Sequence, residues 1–168
     1  MLSILLVFPG VALFTDHTVE TAPAASRRSM ESVAAAWGHL PQAVARMAES
    51  PHALEGFLRL SAMFEATTLD PHSRETVVLT VAERNQCHLC IGIHEAKLAG
   101  LGPAEDPVRL EAVRRFTHQV LAASGAVSDE ELERFLGAGH TRRNALEVVL
   151  GIGAYTLSTL ANRLTRSA

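Results

Sequence analysis

Apolar residues recur along most of the chain at intervals of three and four. Leu54, Phe57, Leu58 and Phe64 form one such stripe, with Ser61 on the same face, and Leu110, Val113, Phe116 and Val120 form another. This spacing predicts amphipathic helices. No segment alternates cleanly with period two. The run Thr76 to Ala82 is rich in β-branched residues and is the one place where a strand can be argued. It reads instead as a buried helix, because it continues from a start signal at Asp70-Pro71 and meets no turn signal before Asn85. Ser50-Pro51 and Asp106-Pro107 repeat that signal. In each, a capping oxygen precedes a proline that gives up only a donor lacking a helical partner. Ser128 followed by Glu131 predicts a capping box, and Thr141 opens the long apolar run from Ala145 to Leu164. Gly125 stops one helix, and Gly100-Leu101-Gly102-Pro103 separates the two halves. The prediction is an all-α chain of roughly seven helices joined by short loops. Residues 16–168 form a single helical domain behind an apolar arm, residues 1–15.

Composition supports this assignment. Apolar residues make up 48% of the chain and aromatic ones only 5%, which favours helices over a β-sandwich. The net charge is −3 with Lys and Arg dispersed, so the basic stripe a nucleic-acid binder needs is missing. The apolar start has a signal-like core, and Ala22-Pro23-Ala24 can be read as a cleavage site, but no positive n-region precedes it. Pro9-Gly10 interrupts a run too short to span a bilayer as one helix. The arm is read as packing on the domain or a neighbouring subunit, or as an over-extended start, and a cytoplasmic, membrane-free location is expected. Within the last long helix, Gly151 and Gly153 predict close helix packing. A cofactor-binding glycine loop would need a preceding strand and a third glycine.

The chemistry concentrates in residues 75–94, which hold the only two cysteines, Cys87 and Cys90, beside His94, Glu75 and Glu83. Two cysteines are too few for a secreted disulfide framework, and a Cys-x-x-Cys pair points to redox or metal chemistry. Helical residues three apart have Cα atoms about 5 Å from each other, within disulfide range. Asn85 is read as the cap of a helix starting at Gln86, which places Cys87 in its first turn, where the positive helix end lowers thiol pKa. If the chain reverses near residues 84–86, Glu75 and His94 stand at equal levels on antiparallel helices. A Glu75, His94 and Cys90 proton relay then becomes feasible. Glu83 is the competing acid, close to the turn and able to cap the second helix. Two rival readings are inert buried thiols and a zinc site of Cys87, Cys90 and His94 that lacks a fourth ligand. His39, His72, His88, His118 and His140 read as exposed or locally satisfied, with His88 a possible auxiliary, and Trp37 and Tyr155 read as core.

Glu75 followed by Asn85-x-Cys87-x-x-Cys90-x-x-x-His94 resembles the active-site signature of the alkylhydroperoxidase D-like branch of the carboxymuconolactone decarboxylase family. His17-Thr-Val-Glu-Thr-Ala-Pro23, Met47-Ala-Glu-Ser-Pro51, Ala138-Gly-His-Thr141 and Leu146-Glu-Val-Val-Leu-Gly151 extend the resemblance over about residues 16–162. It implies an all-helical fold assembling into trimers or hexamers, and a peroxidase that needs neither metal nor haem nor any other cofactor. By the same resemblance Cys90 attacks the hydroperoxide, Cys87 resolves the sulfenic acid as a disulfide, Glu75 and His94 relay protons, and an external dithiol restores the thiols. This chain departs by carrying Leu89 where the family often has His or Tyr before the second cysteine, and by a shorter connection after Gly102. Two rival functions are the lactone decarboxylase or isomerase chemistry of the same superfamily, which has no need of paired thiols, and a helical oligomer whose dithiol only senses redox state.

Overall fold

The computed structural model describes residues 13–167; most of the apolar arm, residues 1–12, lies outside the described residues, and the readings made of it lie there too. Eight helices and no strand occur among the described residues: α1 (Ala24–Trp37), α2 (Gln42–Met47), α3 (Pro51–Glu65), α4 (Pro71–Arg84), α5 (His88–Gly100), α6 (Pro107–Ala122), α7 (Asp129–Gly137) and α8 (Arg142–Thr165).

The segment Thr76 to Ala82 lies inside α4 and is buried throughout. Its Val and Thr residues each cost up to about 0.7 kcal/mol in helix propensity. Burying a valine returns roughly 1.5–3 kcal/mol, so tertiary burial outweighs local preference. Of the two threonines that this places in apolar surroundings, Thr76 leaves its hydroxyl without a protein partner, and Thr80 turns inward on its own helix. Thr80 Oγ1 donates to the Thr76 carbonyl at 2.7 Å, as Thr117 does to Val113 and Thr159 to Tyr155. α4 packs against α5, α6 and α8, and α8 packs against α2, α3, α4 and α6, so these two helices form the centre of the fold. One core cluster joins Phe64, Val77, Val81, Val113, Phe116, Phe135, Val148 and Tyr155; a second joins Met30, Val44, Met47 and Leu54. By length and composition α8 is long and apolar enough to cross a membrane, yet its packing partners make it a central helix of the bundle. Leu146, Val149, Leu160 and Leu164 remain exposed along its outer side.

The proline-marked starts are real. Ser50, Asp70 and Asp106 each accept from the backbone N–H three residues on, with Pro at the first helical position. Two helices beyond those marked by polar caps, α1 and α2, begin after Pro23 and Pro41 with no side-chain cap, which is why the count rises to eight. Three expectations need correction. Ser128 accepts from the Glu131 N–H, but the Glu131 carboxylate binds Arg115 at 2.6 and 2.8 Å instead of closing the box, and the complete box forms at Thr141 and Asn144. Asn85 is the C-terminal cap of α4, not the start of α5, because Gln86 takes a left-handed φ of 53° that no helix can continue through; Cys87 becomes the α5 cap. Trp37 is 55% exposed at the end of α1, where Gly38 turns the chain away from the core.

Candidate functional site

The elbow between α4 and α5 is built from three residues and held from outside. Asn85 closes α4 with its N–H on the Val81 carbonyl, Gln86 reverses the chain, and the Cys87 N–H donates to the Ala82 carbonyl at 3.0 Å. A left-handed conformation costs a residue with a Cβ roughly 1–2 kcal/mol, so something must offset Gln86. α8 supplies two bonds: Asn85 Nδ2 donates to Thr159 Oγ1 at 2.8 Å, and Arg163 Nη1 donates to the Asn85 carbonyl at 2.6 Å.

The elbow returns α5 along α4 and brings together the residues read from the sequence. Cys87 and Cys90 form a disulfide with Cα atoms 5.3 Å apart, both nearly buried against Ala82. His94 Nδ1 meets Glu75 Oε2 at 2.6 Å, across the pair of helices, and Lys97 Nζ stands 3.7 Å from the other carboxylate oxygen. Burial pushes the Glu75 carboxyl upward, but the hydrogen bond and charge of His94 and the charge of Lys97 outweigh it and hold Glu75 below the usual carboxylate range. With Nδ1 committed to Glu75, Nε2 is the imidazole nitrogen left for proton exchange. Glu83 is not part of this arrangement: it is exposed, 3.9 Å from Arg114, and its carboxylate does not cap α5. His88 is exposed at the first position of α5. The described residues contain no cluster of three or more His, Cys, Asp or Glu arranged to hold a metal.

Two further residues join the site: Asn162, not singled out from the sequence, and Tyr155, which the sequence reads as core and which is part of the core. Asn162 is buried on α8, and its Nδ2 lies 3.4 Å from Cys90 Sγ while its Oδ1 has no protein partner. Tyr155 sets its ring edge-on to His94, centroids 5.3 Å apart, and shares a 3.3 Å hydrogen bond with Ser61. Burial raises the Tyr155 phenol above its ordinary pKa, so it stays a neutral hydroxyl. The signal was present: Tyr155, Ser158, Thr159 and Asn162 recur at helical spacing along one side of α8, and all four are buried. An apolar cavity of about 710 Å³ opens onto this group. Trp37, Phe57, Leu58, Leu89 and Ile93 wall it, and Cys90, His94, Glu75, Tyr155 and Asn162 also line it. Tyr155 thus brings a hydroxyl from α8 to the cavity wall that Leu89 also lines.

No protein-family model matches the sequence, and no curated protein does either. Solved structures do. A peroxidase-related protein from Ralstonia eutropha JMP134, described as an alkylhydroperoxidase AhpD core, superposes with a TM-score of 0.76 at 19% identity, covering 92% of this chain and 90% of that one. A peroxidase-related protein from Silicibacter sp. TM1040 gives 0.77 at 17% identity, over 97% and 94%. The debrominase Bmp8 gives 0.63 at 15% identity, over 93% and 91%.

Proposed function

From an alkylhydroperoxidase D-like, all-helical fold as premise, we propose that the protein is a thiol peroxidase that reduces organic hydroperoxides through a Cys87/Cys90 dithiol–disulfide cycle. The observation that carries this reading is the 2.6 Å Glu75–His94 bond one helical turn from a disulfide-forming cysteine, on the wall of an apolar cavity. In the reduced protein the Cys90 thiolate attacks the terminal oxygen of ROOH. The O–O bond breaks, Cys90 becomes a sulfenic acid, and the alkoxide leaves as ROH with a proton passed through His94. Cys87 then attacks Cys90 Sγ, forming the disulfide and releasing water. An external dithiol reverses the oxidation. Glu75 orients the imidazole through its bond to Nδ1. The α5 N-terminus and the Asn162 amide favour the thiolate. An apolar cavity of this size suits an organic hydroperoxide better than hydrogen peroxide, which needs no such volume.

The test combines peroxide with a sulfenic-acid trap and mass spectrometry. Cys87→Ser accumulates adduct on Cys90, while Cys90→Ser shows none. Adduct confined to Cys87 reverses the roles. Stoichiometric oxidation without turnover in the presence of dithiol leaves only redox sensing. Lactone chemistry that survives loss of both thiols would transfer the site to the decarboxylase class. The exposed apolar row on α8 supports the expected self-association into a trimer or a multiple of it, which sedimentation reads directly.

A further inference from the structure

The Cys87–Cys90 disulfide stands between two cavities that see different halves of it. The apolar cavity is lined by Cys90 and not by Cys87. A second recess, of about 520 Å³, is lined by Cys87 and not by Cys90. Leu89 and Asn162 line both and form the partition.

The two differ in charge. Charged groups lining the apolar cavity are paired with opposite charges, Arg74 with Glu65 at 3.3 Å and Lys97 with Glu75 at 3.7 Å. Among the described residues, the recess at Cys87 is lined by His88, Arg163 and Arg166 and by no carboxylate. Neither arginine is in an ion pair among the described residues, Arg163 giving one N–H to the Asn85 carbonyl and keeping other donors. The first-turn amides of α5 begin at the same place, since Cys87 is its cap.

We propose that this recess is the entry for the reductant and that it selects a thiol carrying negative charge close to its sulfur. This deepens the reading above by naming the chemistry of the electron donor. The incoming thiolate attacks Cys87 Sγ, a new S–S bond joins it to Cys87, and the Cys87–Cys90 bond breaks with its electron pair going to Cys90. That direction is favoured because the departing Cys90 thiolate accepts from Asn162 Nδ2 and has His94 one turn away to return its proton; a stabilised thiolate leaves faster. A second thiol from the reductant attacks its own sulfur in the mixed disulfide, releases Cys87 as a thiolate that takes up a proton, and departs as a disulfide. Substrate and reductant thus approach through separate openings, each meeting the cysteine it reacts with.

The experiment uses the full chain with its disulfide formed by diamide, so it reads out whether or not peroxide is a substrate. 3-Mercaptopropionate, 2-mercaptoethanol and cysteamine are compared as anionic, neutral and cationic monothiols. Each exchange rate is divided by that of the same thiol with a small exposed disulfide. At low ionic strength the anion is expected to lead the neutral thiol by about fivefold, the scale of one exposed ion pair, with the cation slowest. In about 1 M salt, where the screening length is about 3 Å, the order should collapse. Acid quenching and peptide mapping should find the mixed disulfide on Cys87. Arg166→Gln should erase most of the preference, slowing 3-mercaptopropionate more than 2-mercaptoethanol, whose only negative charge is on the attacking sulfur; Arg163→Gln is the second variant, read after its melting curve because Arg163 also braces the elbow. Equal normalised rates for the three thiols, or adduct on Cys90, would overturn the proposal. A protein that passes here but forms no disulfide with peroxide would lose the peroxidase reading alone.

Discussion

Adding one methyl group at Gly151 and one at Gly153 should move stability in opposite directions. A Cβ at Gly151 would stand 2.5 and 2.6 Å from Phe64 Cε2 and Cζ and 3.0 Å from Val77 Cγ1, and both neighbours are fully buried. Overpacking of that kind costs about 1–3 kcal/mol. Replacing a mid-helix glycine by alanine recovers up to about 1 kcal/mol, so Gly151→Ala should lose on the order of 1–2 kcal/mol net. At Gly153 the same Cβ meets nothing within 4 Å, and only the propensity gain of roughly 0.5–1 kcal/mol remains. The two variants should differ by about 2–3 kcal/mol, which for a chain of this size is a melting-temperature gap of roughly 4–12 °C. Urea unfolding with an unchanged slope would register it as a midpoint shift. Phe64 packs edge-on to Tyr155, which packs edge-on to His94, so Gly151→Ala should also lower turnover. Phe64→Leu in that background should restore part of the loss. A Gly151→Ala protein as stable as the parent would refute the packing argument, since it would require Phe64 to move at no cost.

Glu75→Gln should keep the fold and reduce peroxide turnover at neutral pH by on the order of 10²-fold, with Glu83→Gln nearly silent; the opposite ranking would move the relay to Glu83. Asn162→Ala should raise the Cys90 thiol pKa and slow its alkylation at neutral pH by about tenfold, the scale of a lost hydrogen bond to a charged group, measured as the pH profile of iodoacetamide labelling in Cys87→Ser. Stability should fall in acid in two stages. Burial holds His140 below its usual 6.5, and Glu75 and Glu147 lie below their usual 4.5 because hydrogen bonds outweigh the opposing effect of burial. All three therefore bind more protons unfolded than folded, so stability is full above about pH 6.5, declines below it through His140, and declines again below about 4.5 as pH falls toward the folded carboxyl values. Melting curves between pH 8 and pH 3 test the sign, and His140→Gln should remove the upper stage alone.

The sequence was most informative where local rules and tertiary packing agree. Serine or aspartate before proline marks a start because the cap and the missing donor act within one turn, and Ser50, Asp70 and Asp106 all do so. The level-matching of Glu75 and His94 was legible because antiparallel helices joined by a tight elbow fix register by counting. Asn85 was misplaced by one element because a helix C-terminus and the next N-terminus share residues in so short a turn, and only the left-handed Gln86 separates them. Tyr155 is in the core as read, but its place beside His94 and the role of Asn162 were not legible, because a contact such as that between Asn162 and Cys90, 72 positions apart, leaves no local trace beyond polar residues on a buried helical stripe.

That separation has a consequence for the chain as it is made. At ribosomal rates of about 5–20 residues per second, the 72 positions between Cys90 and Asn162 correspond to on the order of 4–14 s during which both cysteines exist and α8 is incomplete. The elbow then lacks its bonds to Thr159 and Arg163, and Cys90 has no amide beside it. A nascent chain therefore carries both thiols before the contacts that brace the elbow and border Cys90 exist, and completes the site only when the last helix docks.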